Sequence, residues 1–298
     1  MTQSGSFVNT ESVYAGISGV RTSVEQYDLG LGLTLSKTYA HLIAPLLMAF
    51  TEAEPGKPHP APWSTVRGGK ESDIYVQLHI PSSFKEPDFY DRLGTVWWII
   101  ALIRLRGAFR AQVTVIADRP FDKIASQWQS ATILPIEISP RQLETEASLM
   151  ELSAEDLEWI KKIWMPGGHL MGSSALLSDA FQAYDNAGGF QNHNVALLAV
   201  WGALEQLFAH SGNELRYRVA ANIAAFLEPP GISRLALNNQ IKQLYNDRSA
   251  VAHGRTLKTS DPWTQTHIIA TRVLNKILSE MRVPSEDDLA NALFAPQL

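Results

Sequence analysis

Cysteine is absent from the 298-residue sequence. Its absence excludes a disulfide framework, a thiol nucleophile and a thiolate metal site, and it is compatible with a reducing cytosol. The first residues, MTQSGSFVNTESVYAG, lack a basic segment followed by an apolar one, so no signal peptide is expected. The longest apolar runs, 96–103 and 195–204, are shorter than the ~18 residues that span a bilayer. We therefore expect a soluble cytoplasmic protein with no membrane segment.

Metal-binding and phosphate-binding motifs are also missing from the sequence. His41, His59 and His79 are scattered without ligand spacing, and no His-Glu-x-x-His motif occurs. Gly30 and Gly32 precede no Gly-Lys-Ser/Thr and are better explained by a strand that packs closely against another element. We predict no metal site and no cofactor.

Charge is distributed unevenly along the chain. The net charge is −5, which argues against indiscriminate binding to nucleic acid. Between residues 195 and 278, however, nine Lys/Arg and five Asp/Glu give +4, so the remainder carries −9. The C-terminal part is therefore the better place for an anionic ligand, although solvated helix faces explain modest charge excesses equally well.

The first half of the sequence predicts a mixed sheet-and-helix domain over residues 1–150. The segment up to Tyr27 has no strong period and is expected to be irregular. Strands are predicted at 29–35, 74–80, 111–117 and 132–138, a helical or continuously buried segment at 39–50, a proline-rich loop at 52–70 and a buried helix at 88–105. One or more helices are expected to cover the sheet.

The second half, residues 151–298, has helical periodicity throughout. A short helix opens at Ser153 and is predicted to stop at Pro166-Gly167-Gly168. Further helices are predicted at 174–187, 195–209 (central, with Asn194 as its cap), 214–227, 233–252 and 261–281, with a last one boxed by Ser285 and Asp288. The short connections indicate a helical bundle, so the fold class is α+β.

Arg248 and His253 form the candidate site on the predicted 233–252 helix. Five residues of continuous helix separate their side chains by roughly 140°. If the helix ends at Gly254, the imidazole can turn back toward the guanidinium, and the two can bracket one phosphate. The alternative is that Arg248 pairs with Asp247 or a helix end while His253 caps the helix.

Three segments together resemble the Apea-like branch of the HEPN superfamily. They are AVWGALEQLF at 199–208, ELRYRVA at 214–220 and IKQLYNDRSAVAHG at 241–254, and the resemblance covers roughly residues 170–282. HEPN domains are small helical bundles, commonly dimeric, with an Arg-x(4–6)-His element near the end of a helix. Many are metal-independent ribonucleases of toxin-antitoxin, CRISPR and antiviral systems, whereas others bind RNA or nucleotides or serve as inactive scaffolds.

The resemblance assigns the catalytic positions to Arg248 and His253. Glu205 matches the acidic residue of the early helix, and Arg216 and Arg218 match a basic segment that supports the bundle or contacts substrate. Glu205 has the alternative role of holding one of these arginines in a buried ion pair. Two further positions complete the candidate set: Ser249, where many active members have Asn, Asp or His, and Arg255, where some members have a modifiable tyrosine.

Three functions remain open at this point. The first is a metal-independent endoribonuclease, acting as a homodimer in defence or stress, whose N-terminal domain senses a signal or a regulatory protein partner. The second is a non-catalytic RNA- or nucleotide-binding module, and the third is a structural interaction protein.

Overall fold

The computed structural model describes residues 11–137, 141, 149–209, 214–255 and 261–295. Within these residues the chain forms two compact units. The first contains residues 11–85, 111–137 and 149–154, and the second contains the described residues of 86–110, 141 and 155–295. The first unit is mainly β-sheet, and regular structure in the described part of the second is helical, so the predicted α+β class is confirmed.

Strands β1–β8 belong to the first unit. They are β1 Val13–Ser18, β2 Val20–Thr22, β3 Gln26–Gly30, β4 Leu33–Ala49, β5 Trp63–Ile80, β6 Gln112–Ala117, β7 Ile133–Pro135 and β8 Met150–Leu152. Six of them form an antiparallel sheet of order β3-β4-β5-β1-β6-β7, while β2 and β8 form a separate parallel pair.

The helices are numbered α1–α9 in chain order. They are α1 Arg92–Leu105, α2 Phe121–Gln127, α3 Ala154–Ser173, α4 Ala175–Ala187, α5 His193–Phe208, α6 Leu215–Leu227, α7 Ile232–Ala252, α8 Pro262–Glu280 and α9 Glu286–Phe294. No helix in the described ranges is both long enough and apolar enough to cross a bilayer.

Residues 13–18, 20–22 and 26–30 are strands, so the prediction of an irregular segment up to Tyr27 is wrong for residues 11–27. Its first part, residues 1–10, lies outside the described residues. Strand β1 lies inside the sheet between β5 and β6, and Val13, Ala15 and Ile17 are fully buried. Gly16 lets the ring of Phe121 approach, since a Cβ at Gly16 would lie 2.7 Å from its Cζ. Burial on both faces removes the polar alternation that marks a strand in sequence.

Three further predictions for the first unit are wrong or only partly right. Residues 39–50 are neither helical nor continuously buried, because β4 continues to Ala49 and pairs with β5. The loop predicted at 52–70 is shorter, because β5 already begins at Trp63. The strand predicted at 29–35 is present only in part, because β3 ends at Gly30 and β4 begins at Leu33. A hairpin turn joins them, and Gly30, Leu31 and Gly32 all have positive φ.

Helix α1 lies in the helical unit, whereas the division at residue 150 places it with the sheet. The Trp98 indole donates a hydrogen bond to the Trp164 carbonyl oxygen at 2.7 Å, and the Asn275 side chain donates to the Leu105 carbonyl oxygen at 3.1 Å. These bonds join α1 to α3 and α8. Helix α1 is therefore part of the core of the helical bundle.

The predicted stop at Pro166 is wrong, because α3 continues to Ser173. The two glycines after Pro166 serve packing, since a Cβ at Gly168 would overlap the ring of Phe89, and one at Gly167 would lie 3.2 Å from Trp98. The cap of α5 is Asn192 instead of Asn194. The box of Ser285 and Asp288 on α9 is confirmed.

Helix α5 is the centre of the bundle, as predicted. It packs against α4, α6, α7 and α8, and its buried side chains include Leu197, Trp201 and Leu204. Four helices therefore pack around α5.

His267 of α8 is buried among aromatic rings. Its ring stacks on Tyr184 at 4.6 Å and meets Phe109 and Trp263 edge-on. Burial, and then the positive charge of Arg141, lower the pKa of His267 from 6.5 to about 4. The folded protein therefore holds this histidine neutral.

We expect stability to fall as the pH decreases from 6.5 to about 4, because in this window the unfolded chain binds a proton at His267 that the folded chain does not. Asp185 opposes the shift but does not cancel it. The loss should be roughly 3 kcal/mol, since one pKa unit corresponds to about 1.4 kcal/mol. Urea unfolding at stepped pH measures it. His267→Leu should flatten the dependence, and an unchanged slope would contradict the assignment.

Candidate functional site

The C-terminal end of α7 holds the predicted motif and ends as predicted at Gly254. His253 is the helix cap, and Gly254 has φ +65°. The Arg255 amide donates to the Ala250 carbonyl oxygen at 2.7 Å and the Gly254 amide to Val251 at 3.2 Å, which is the Schellman pattern. His253 is exposed beyond the last turn.

Arg248 is held by Glu205 of α5. Its Nη2 lies 3.1 Å and 3.2 Å from the two carboxylate oxygens, and the side chains are only 28% and 19% exposed. The Nε of Arg248 is buried without a hydrogen-bond partner among the described residues. Among the described residues Arg248 is paired with Glu205, the acidic residue of the early helix, and not with Asp247.

Tyr245 and Trp201 complete the surroundings of this ion pair. Burial, together with the negative charge of nearby Glu205, raises the pKa of Tyr245. The Tyr245 ring meets Trp201 edge-on at 5.2 Å, while the Arg248 guanidinium lies 5.7 Å from its centre. Sequence analysis missed both residues, although Trp201 and Glu205 (i, i+4) and Tyr245 and Arg248 (i, i+3) have same-face helical spacing.

Arg216 lies beside a second part of α7. It donates to the Asn246 side-chain oxygen at 3.0 Å and to the Tyr217 hydroxyl at 2.7 Å. Lys242 lies over the ring of Tyr217 at 5.0 Å. Arg216, Tyr217, Lys242 and Asn246 therefore form a basic-aromatic patch on α6 and α7, of which sequence analysis had identified Arg216 alone.

The remaining candidate residues lie around these groups. Arg218 lines a cavity of about 350 Å³ between α6 and α9, together with Tyr217 and Phe294. Ser249 is partly buried, and its carbonyl oxygen accepts the His253 amide at 3.2 Å. Arg255 is exposed.

The structure brings Glu205 to Arg248 and Arg216 to α7. In the ranges that are described, no hydrogen bond or ion pair joins the Arg248 and His253 side chains, and a cleft shared by the two stays a prediction. No group of three or more His, Asp and Glu side chains in those ranges is arranged to hold a metal ion. The chain matches no family model, no curated protein and no solved structure.

We expect the Glu205 and Arg248 side chains to be energetically coupled. Glu205→Ala or Arg248→Ala alone should cost about 1–3 kcal/mol, because each leaves a partly buried charge unpaired. The double variant should cost less than the sum by about 1 kcal/mol in urea unfolding. The exposed pair Lys162 and Glu158, at 3.4 Å, is the control and should show almost no coupling. Additive costs for the inner pair would contradict its role.

Gly254→Ala should destabilise the protein by about 1 kcal/mol through backbone strain. Space is not limiting, because a Cβ at Gly254 would meet nothing within 4 Å. Gly202 in α5 is the matched control, since its Cβ position is equally open but the backbone is helical. Gly202→Ala should therefore stabilise by up to about 1 kcal/mol. Equal effects of the two changes in thermal unfolding would remove the conformational argument.

Proposed function

We propose that the protein is a HEPN-type, RNA-acting protein that cleaves RNA without a metal ion, using Arg248 and His253. The observation that carries the proposal is the end of α7, where a partly exposed arginine and an exposed histidine stand on the last two turns of one helix. The resemblance of three segments to Apea-like HEPN domains gives these two residue types their roles.

Arg248 is suited to hold a phosphoryl group while Glu205 orients it. A guanidinium has five N–H donors, and Glu205 engages only Nη2. The carboxylate fixes the plane of the group and leaves donors for two phosphoryl oxygens. The negative charge of Glu205 also lowers the net attraction of the pair for phosphate. Arg248 therefore contributes directed hydrogen bonds more than long-range electrostatic attraction.

His253 supplies proton transfer in this proposal. The neutral imidazole accepts the proton of the ribose 2′-hydroxyl, whose oxygen forms a bond to the adjacent phosphorus. The bond from phosphorus to the 5′-oxygen breaks, and that oxygen receives a proton from a second, protonated imidazole. The products are a 2′,3′-cyclic phosphate and a 5′-hydroxyl. A homodimer through the helical unit supplies the second His253.

The basic-aromatic patch provides a track for the substrate. Arg216 and Lys242 attract the RNA backbone, and the exposed ring of Tyr217 can stack on a base. Arg218 of α6 and Arg255, which directly follows the motif, add further positive charge to the helical unit. We place the protein in the cytoplasm, in a defence, toxin-antitoxin or stress response, with the first unit receiving a signal or a regulatory protein.

A non-catalytic RNA- or nucleotide-binding module is the second candidate. The Glu205–Arg248 ion pair favours it, because the pair serves bundle stability without any chemistry. The same patch would then bind the ligand, and His253 would only cap α7.

The two candidates differ in the effect of removing His253. His253→Ala should reduce cleavage of mixed RNA at least about 100-fold and leave RNA affinity within about threefold, because a neutral imidazole contributes little to phosphate binding. Arg248→Ala should weaken both, with affinity falling about tenfold or more through the lost charged hydrogen bond. Cleavage in EDTA and filter binding are the measurements.

His193→Ala, which changes an exposed histidine at the start of α5, is the control and should cleave like the wild type. Cleavage must persist in EDTA and yield 2′,3′-cyclic phosphate ends. Products with 5′-phosphate that require a metal would disprove the mechanism. Wild-type protein that binds RNA but never cuts it would favour the binding module.

A further inference from the structure

Strands β4 and β5 extend beyond every other strand of the sheet. Strand β3 pairs with β4 only as far as Ser36, and β1 pairs with β5 only from Ile74 onward. Beyond these points the two strands pair with each other alone, as far as Ala49 and Trp63. We call residues 43–66, the outer ends of both strands with their connecting loop, the β-arm.

The β-arm exposes an unusual amount of apolar side chain. Seven large apolar residues are between 36% and 66% exposed: Ile43, Leu46, Leu47, Met48, Phe50, Trp63 and Val66. Leu47 and Met48 follow the register shift at Leu46 and pair with Thr65 and Ser64, and successive side chains of a regular strand point to opposite faces. Both faces of the arm are therefore apolar, so a single covering layer would leave one face in water.

An isolated two-stranded ribbon is marginally stable in water, and its free edges invite pairing with another chain. The arm has both properties. The seven side chains expose on the order of 800 Å² in total, which is about what one partner buries in a stable dimer.

We propose that the β-arm is an interface with the β-arm of a second copy of this chain. Two identical arms related by a two-fold axis can coil around each other, so that each arm covers part of both faces of its partner. The described charges suit such self-contact, because Lys57 and Glu54 of one arm form an ion pair at 2.6 Å, which limits repulsion between copies. This interface is separate from the dimer proposed for the helical unit.

A bilayer is a poorer partner for the arm than a second copy. Entry would have to begin with the loop, which carries Glu52, Glu54 and Lys57, and charged side chains are costly in hydrocarbon. The indole N–H of Trp63 donates to the carbonyl oxygens of His59 and Pro60, so the ring is fixed at the base of that loop.

Sedimentation of the full chain without RNA tests the proposal. At micromolar concentration the wild type should contain the arm-to-arm dimer, as a tetramer where the helical interface also forms and as a dimer where it does not. A triple variant with Leu46→Thr, Leu47→Thr and Met48→Thr should halve the mass of that assembly. Threonine retains strand propensity, so circular dichroism should stay unchanged. The control carries Ile232→Thr and Leu235→Thr, at exposed apolar positions of α7, and should associate like the wild type.

A spin label on Ser64→Cys, in this cysteine-free chain, gives a second measurement that does not depend on the triple variant. Pulsed EPR should show a short, narrow distance between copies that disappears on dilution with unlabelled protein. The proposal would be overturned by a wild type that is monomeric, by a triple variant that associates like the wild type, or by labelled copies that show no such distance. It would also be overturned by a monomer that floats with phosphatidylglycerol vesicles. RNA cleavage is a separate readout, so the proposed function can fail or hold independently.

Discussion

Helix α5 carries one carboxylate through the most buried part of the helical unit, and this charge has to be neutralised. This carboxylate belongs to Glu205, and the only other ionisable side chain on α5 is that of His193 at its start. A partly buried carboxylate without a partner costs about 1–3 kcal/mol. Arg248 meets the requirement, and together with the buried Leu237, Ile241 and Leu244 it sets the rotation of α7 about its own axis. The position of Tyr245, the direction in which Asn246 faces Arg216 and the exit of the chain at His253 all follow from that rotation.

The helical part could be predicted from sequence because its signals are local. Ser174, Asp261 and Ser285 each cap the helix that follows them, and the apolar run of α5 has room only at the centre of a bundle. The predicted helix end at Pro166 was wrong, because whether a proline ends a helix depends on how the helix packs. The helix continues through it where Gly167 and Gly168 permit close contact with Trp98 and Phe89.

The sheet was harder to predict because its signals are not local. Nothing in residues 13–18 shows that two later strands, β5 and β6, will enclose them. The apolar run at 39–50 has no period that separates strand from helix, and only its pairing with β5 decides between them. For the candidate site, spacing identified Arg248 and His253, but the partner of Arg248 lies 43 residues away, and the roles of Tyr245 and Lys242 depend on helices meeting.

The order of synthesis gives the β-arm a further consequence. Both of its strands have left the ribosome before α3 and the helices that follow it have been made, and domains generally fold in that order. The apolar β-arm is therefore exposed on nascent chains while they remain attached to one messenger RNA. Neighbouring nascent chains on one messenger RNA are identical and close together, so their β-arms can associate during translation. Such assembly would shield the arms from aggregation and would join the copies before their helical units have been synthesised.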